Sequence, residues 1–148
     1  MTKTMLLVAI PMSRQFAEAI VANRWEAAHR LLGERRRDLI GLEQLRNDFV
    51  WDRLEQRLAA EWEVETGEPF EASIGPPARF EVFPDEERDV PRGIDSEEFL
   101  GWTTIEFHPA NPTPGGLGPC YRCSLAIKWE TEGARIAIYE IHNAWIYS

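Results

Sequence analysis

The sequence contains only two cysteines and no long apolar run, and each shortage excludes a class of protein. Cys120 and Cys123 are too few for a disulfide framework. The apolar run at residues 5–10 ends at Pro11 and no small-residue cleavage site follows, so it resembles a signal peptide only superficially. No segment approaches the roughly 18 apolar residues that a membrane helix needs. We therefore expect a soluble, cytoplasmic protein.

Positive charge is also in short supply. The chain has 16 basic and 25 acidic side chains, which gives a net charge of −9. Nucleic acid and anionic membranes repel such a protein, so neither is expected as a partner, whereas a basic protein would be attracted. Motifs for a catalytic serine, a phosphate loop or a dinucleotide site are missing, and we expect no cofactor.

What the sequence does contain is a helical first part. Its 148 residues suit one domain, 1–148. Apolar residues spaced by three and four predict three helices: one from Pro11, with Ser13 as its N-cap, to a break at Asn23, one from Trp25 to a stop at Gly33, and one over 42–62. Residues 34–38, with three arginines, are predicted to be a solvated connection.

The second part of the chain has the pattern of strands. Strands are predicted at 80–83, 102–108, 121–131 and 134–147. Helices followed by strands indicate an α+β fold. We expect three N-terminal helices packed against one face of a strongly bent antiparallel sheet of four to five strands.

The last two strands form a predicted hairpin whose register follows from its side chains. Of two possible registers, one places apolar residues opposite each other and a carboxylate opposite a guanidinium, and a slip by one residue loses these pairs. The favoured pairs are Trp129 with Ile136, Ile127 with Ile138, and Glu130 with Arg135. Continued without interruption, this register pairs Glu140 with Leu125 and His142 with Cys123, on the core face. A core face that becomes polar is typical of a pocket mouth or a sheet rim.

The pattern Glu-x-His occurs twice, as Glu106 with His108 and as Glu140 with His142. Residues two apart in a strand share a face, so each unit presents a carboxylate beside an imidazole. Such a unit is an ordinary pair at the sheet edge, part of a polar pocket with a general base, or part of a metal site. We take these four residues, with Trp102 and Trp129, as candidate binding residues and assign no metal.

Three further features each have a structural and a functional interpretation. Cys120 and Cys123 suggest zinc or redox chemistry, but strand residues three apart point to opposite faces, so we expect two unpaired cysteines, one of them buried. His29 is expected to be a partly buried, hydrogen-bonded histidine. The segment 84–99 is an acidic excursion that suits a partner-facing loop, with the acidic residues Asp85, Glu86, Glu87, Asp89, Asp95, Glu97 and Glu98.

Residues 16–58 contain a distinctive run of helical segments: Phe16-Ala-Glu-Ala-Ile20, then Ala22-Asn-Arg-Trp25-Glu-Ala-Ala28 with Leu31-Leu32, then Leu42-Glu-Gln-Leu45. This pattern resembles the N-terminal helices of nuclear-transport-factor-2-like domains. It implies a cystatin-like cone, in which a curved sheet wraps around the helices and leaves a cavity. The acidic segment departs from that pattern, and the catalytic aspartate and tyrosine of the isomerases in this family have no clear equivalent.

These features favour a non-catalytic binding or assembly module, of the immunity or accessory type, whose acidic surface holds a protein partner. The alternative is a small isomerase, dehydratase or hydrolase-like enzyme that acts on an apolar molecule in the cone cavity. A homodimer is also expected through the outer face of the hairpin, because a two-fold contact would match Glu130 with Arg135 beside Ala126, Tyr139 and Ile141.

Overall fold

The fold is built on one antiparallel sheet. The computed structural model describes residues 2–69, 76–109, 120–130 and 135–146, and for residues 109, 120, 135 and 139–146 it describes the backbone alone. The strands are β1 (Pro77–Asp85), β2 (Phe99–Pro109), β3 (Cys120–Glu130) and β4 (Arg135–Ile146), and they follow one another across the sheet in chain order. The predicted α+β fold with a four-stranded antiparallel sheet is confirmed.

The helices precede the sheet, as predicted, but in the described part of the chain there are five of them rather than three. They are α1 (Ile10–Val21), α2 (Trp25–Arg30), α3 (Glu34–Leu39), α4 (Leu42–Asp48) and α5 (Trp51–Thr66). None of these described helices is both long and apolar enough to cross a membrane.

The two additional helices arise from two wrong predictions. The predicted helix over 42–62 is interrupted because Phe49 (ψ 31°) and Val50 (ψ 100°) leave helical geometry. The predicted connection at 34–38 is helical as α3, and Gly33 is the N-cap of α3 rather than the stop of α2. Asn23 does end α1 as predicted, with a left-handed φ of 58°.

The start of α1 also differs from the prediction. Residues Met5–Ala9 form a π-helical turn that continues into α1, and the Ile10 amide donates to the Met5 carbonyl. Pro11 has no amide hydrogen and its ring crowds the carbonyl four residues back, which explains the wider turn before it. Ser13 is not an N-cap: it is buried inside α1, where its hydroxyl donates to the Ala9 carbonyl at 2.8 Å and accepts from Thr103 on β2.

The core lies between the helices and one face of the sheet, and its centre is the ring of Phe49. Five aromatic rings from α1, α2, α5, β2 and β3 surround it at centroid distances of 5.9 to 6.5 Å: Phe16, Trp25, Trp51, Phe107 and Tyr121. Phe49 leaves the helix to reach this position, so packing outweighs the helical period at residues 49 and 50.

The β3–β4 pairing confirms the predicted hairpin register beside the turn and corrects it farther along. Trp129 pairs with Ile136, Ile127 with Ile138 and Glu130 with Arg135, as predicted. Between Ile138 and Glu140, however, Tyr139 is an additional residue, and this β-bulge moves the remaining pairs by one position. Consequently Glu140 pairs with Ala126 and His142 with Ser124, rather than with Leu125 and Cys123.

The connection between α2 and α3 runs along the outer edge of β4. The Gly33 amide donates to the Ile138 carbonyl at 2.7 Å, and the Ile138 amide donates to the Leu31 carbonyl at 2.9 Å. Leu32 is buried at this bridge, which covers part of an edge strand that would otherwise expose unpaired backbone groups.

Candidate functional site

The two faces of the sheet differ in character at β2. Ile105 and Phe107 are buried in the core, so Glu106 and His108, which alternate with them, lie on the opposite face. We call this opposite face the outer face. On the outer face, Glu81 of β1 and Arg122 of β3 pair in register with Glu106 from either side. The first Glu-x-His unit therefore faces away from the helices.

Glu81, Glu106 and His108 form a compact group on the outer face, which we call the outer triad. Nε2 of His108 lies 3.8 Å from Oε2 of Glu106 and 4.0 Å from Oε1 of Glu81. This Nε2 is inaccessible to solvent and has no hydrogen-bond partner among the described residues. Arg122 donates to the other oxygen of Glu106, Oε1, at 2.9 Å. No local pattern marks Glu81 as a site residue, because only the β1–β2 register places it beside Glu106.

The second Glu-x-His unit lies on β4, with β3 between it and the outer triad. By backbone register, His142 belongs to the row of Ser124 and Thr104, whereas Glu106 belongs to the row of Arg122. Two strand spacings amount to about 10 Å, so the two units occupy separate parts of the sheet. The side chains of Glu140 and His142 lie outside the described structure.

The two candidate tryptophans have different surroundings. Trp102 is buried on the outer face, where its Nε1 donates to the Asp89 carbonyl at 2.8 Å and the Arg88 guanidinium lies 4.4 Å from its ring centroid. It therefore fastens the acidic segment to the sheet. Trp129, near the end of β3, is exposed.

The acidic segment connects β1 to β2, and we call residues 86–98 the acidic loop. Besides the contacts with Trp102, Arg88 lies 3.8 Å from Asp85, and Glu98 lies 3.5 Å from Lys128 of β3. The other five acidic residues are exposed: Glu86, Glu87, Asp89, Asp95 and Glu97. The loop thus has both ends held against the sheet and most of its acidic side chains in water.

A hollow of about 630 Å³ lies beside the acidic loop. Its apolar lining comes from Met5, Phe99, Leu100 and Trp102. Its charged lining is mostly acidic, with three carboxylates (Asp85, Glu86 and Glu97) and one guanidinium (Arg88). A surface of this kind suits a ligand with a positive charge next to an apolar group.

The cysteines and His29 have structural surroundings. Both cysteines belong to β3, three positions apart and therefore of opposite strand parity, as the prediction assumed. Cys123 is buried and unpaired, and its burial raises the pKa of its thiol, which makes the thiolate scarce. His29 Nε2 lies 2.8 Å from the Ile40 carbonyl, so the prediction of a partly buried, hydrogen-bonded histidine is confirmed.

The surface predicted for a homodimer is only partly described. Ala126 is buried, and a carboxylate oxygen of Glu130 accepts from the Glu34 amide of the same chain at 2.9 Å. The side chains of Arg135, Tyr139 and Ile141 lie outside the described structure. The homodimer remains a prediction, and a contact through Glu130 would compete with this intramolecular bond.

Between the helices and the sheet, the described structure places the aromatic rings around Phe49. The resemblance to nuclear-transport-factor-2-like domains remains a prediction. Comparisons with protein-family models, with curated proteins and with solved structures find no match to this chain.

Proposed function

We propose that this protein is a non-catalytic binding module whose acidic loop holds a basic segment of a protein partner. The observation that most supports this proposal is the anchoring of the acidic loop by Trp102, through Nε1 to Asp89 and through its ring to Arg88. A loop held against the sheet presents its carboxylates with less loss of conformational freedom on binding than an unanchored loop. The net charge of −9 draws a basic partner toward it.

The hollow beside the loop suggests how such a partner docks. An arginine or lysine of the partner lies between Glu86 and Glu97, and its apolar stem contacts Phe99 and Leu100. Arg and Lys side chains have an apolar stem and a charged end, so one such residue satisfies both parts of the lining. This arrangement fits an immunity-type or accessory protein that covers a basic surface.

The alternative, a small enzyme acting in an internal cavity, has less support from the described residues. Of its two expected pairs of base and orienting acid, His108 with Glu106 lies on the outer face, and His142 with Glu140 has side chains outside the described structure. Aromatic rings pack between the helices and the sheet. No observation on the described residues favours it over a binding module.

The proposal is tested by measuring which proteins of a cell extract bind to this protein, with variants that differ from the wild type only in charge. The test variant is Glu87→Gln/Asp89→Asn/Glu97→Gln, which removes three exposed negative charges from the loop. The matched control is Glu63→Gln/Glu65→Gln/Glu68→Gln, which removes three exposed charges at and beyond the end of α5. We expect the wild type and the control to retain a basic protein at low salt, and the loop variant to bind it at least about tenfold more weakly.

A second variant separates loop charge from loop anchoring. Trp102→Phe keeps every charge but removes the hydrogen bond to Asp89, so we expect weaker retention together with faster hydrogen exchange in residues 86–98. If no basic protein is retained at low salt, or if the α5 control loses as much affinity as the loop variant, the proposed function is wrong.

A further inference from the structure

The outer triad consists of two carboxylates and one imidazole, and the two carboxylates are close enough to repel each other. Glu81 and Glu106 are directly opposite each other on neighbouring strands, an arrangement that destabilises a sheet unless a cation lies nearby. Arg122 satisfies one oxygen of Glu106, and the second oxygen remains directed toward His108. These three side chains come from two adjacent strands, so the backbone holds them together.

We propose that the outer triad is a binding site for a divalent transition-metal ion of the zinc type, with Glu81, Glu106 and His108 as ligands. One donor atom from each residue lies within 4.8 Å of the other two. A tetrahedral zinc ion, with bonds of about 2.1 Å, separates its ligand atoms by roughly 3.4 Å. The Nε2 separations of 3.8 and 4.0 Å exceed that value by only a few tenths of an ångström.

The surroundings of His108 Nε2 support a metal ion bound to this atom. The atom is inaccessible to solvent, yet no described residue offers it a hydrogen bond, and a buried polar atom without a partner is costly. A metal ion bound to Nε2 removes that cost. The imidazole as a whole stays 22% exposed and Glu81 stays 49% exposed, so an ion can enter and keep water at its open positions.

The basic residues around the triad decide which ions bind. Arg122 bonds to Glu106, and the backbone of Arg79 pairs in register with that of His108, so basic residues lie near the two carboxylates. An ion held mainly by charge, such as Ca²⁺ or Mg²⁺, gains little here. An ion that forms a strong bond to imidazole nitrogen gains more, which favours Zn²⁺. The bond from Arg122 also orients the Glu106 carboxylate, as residues behind metal ligands commonly do.

Calorimetric titration of Zn²⁺ into the untagged, metal-free full chain tests this site. We expect one ion per chain with a dissociation constant of about 10 µM or lower, and no displacement by millimolar Ca²⁺ or Mg²⁺. His108→Gln and Glu81→Gln should each weaken binding at least about tenfold. Glu81 is half exposed, so Glu81→Gln leaves the fold intact even if the histidine variant does not.

The other two histidines of the chain are the controls. His29→Gln should leave zinc affinity unchanged, because that imidazole already contacts the Ile40 carbonyl. If His142→Gln weakens binding as much as His108→Gln, the ion belongs to the β4 unit and the proposal fails. It also fails if no zinc binds. The acidic loop is not involved, so this result is independent of partner retention.

Discussion

At the scale of single residues, Phe49 has the largest effect on the fold. Its side chain is 1% exposed and lies among five aromatic rings, two of which, Phe107 and Tyr121, belong to the sheet. Aromatic pairs with these edge-to-face geometries add about 0.5–1.5 kcal/mol each beyond the area that they bury. One residue between α4 and α5 therefore joins the helices to β2 and β3.

Replacing Phe49 should destabilise the whole domain. For Phe49→Ala we expect a loss of about 3–5 kcal/mol in the free energy of unfolding, because the substitution leaves a cavity at the centre of the core. Urea denaturation of both proteins measures the loss. The control is Phe83→Ala on the outer face, where the ring is 40% exposed and the expected loss is less than about 1 kcal/mol. Equal losses would contradict a core centred on Phe49.

At the scale of elements, the short connection between α2 and α3 determines how the helices meet the edge of β4. Gly33 lies so close to β4 that an added Cβ would be 3.3 Å from the Ile138 carbonyl and would collide with the Glu130 carboxylate. That carboxylate accepts the Glu34 amide in the first turn of α3. A side chain at residue 33 would therefore disturb both the edge bridge and the start of α3.

Two glycines provide a matched comparison for this contact. Gly33 and Gly41 are the N-caps of α3 and α4, and their backbone angles are similar: φ −65° and ψ 156° at Gly33, φ −70° and ψ 169° at Gly41. Nothing, however, lies within 4 Å of a Cβ built on Gly41. We expect Gly33→Ala to cost about 1 kcal/mol more than Gly41→Ala, since the intrinsic capping effect is the same in both. Thermal or urea denaturation measures the difference, and equal costs would show that the approach to β4 is not tight.

At the scale of the whole molecule, a buried thiol in the sheet makes the free energy of unfolding depend on pH in the alkaline range. Burial raises the pKa of Cys123 above its ordinary value of 9.0. Below that value the thiol is protonated in both states, and this group contributes no pH dependence. Above it the unfolded chain loses the proton while the folded chain keeps it, so the free energy of unfolding falls as the pH rises.

A comparison with Cys123→Ala isolates this effect from the other groups that titrate at high pH. The stability of the wild type minus that of Cys123→Ala should stay constant up to about pH 9 and then fall by as much as about 1.4 kcal/mol per pH unit. Urea denaturation at a series of pH values provides both curves. A difference that stays constant through this range would mean that the Cys123 thiolate is not disfavoured in the folded protein.

Local sequence pattern by itself determined the type and order of the elements. The alternation of apolar and polar residues predicted the strands, and local signals predicted the break at Asn23. The pairs next to the hairpin turn were also predictable, because they depend on one pair of adjacent strands. The buried Cys123 and the hydrogen-bonded His29 followed from the same local reasoning.

Only the tertiary structure decided where those elements are interrupted and which side chains meet. The break at Phe49 follows from aromatic packing against the sheet, which no local period encodes. The helix at 34–39 buries no residue, but its first amide is bonded to Glu130 of β3. The additional residue Tyr139 is visible only in the β3–β4 register. The bulge alone moves Glu140 and His142 to new backbone partners on β3, because one additional residue shifts every later pair by one position. The meeting of Glu81 with Glu106 and His108 likewise requires the β1–β2 register, since 25 positions separate Glu81 from Glu106 in the sequence.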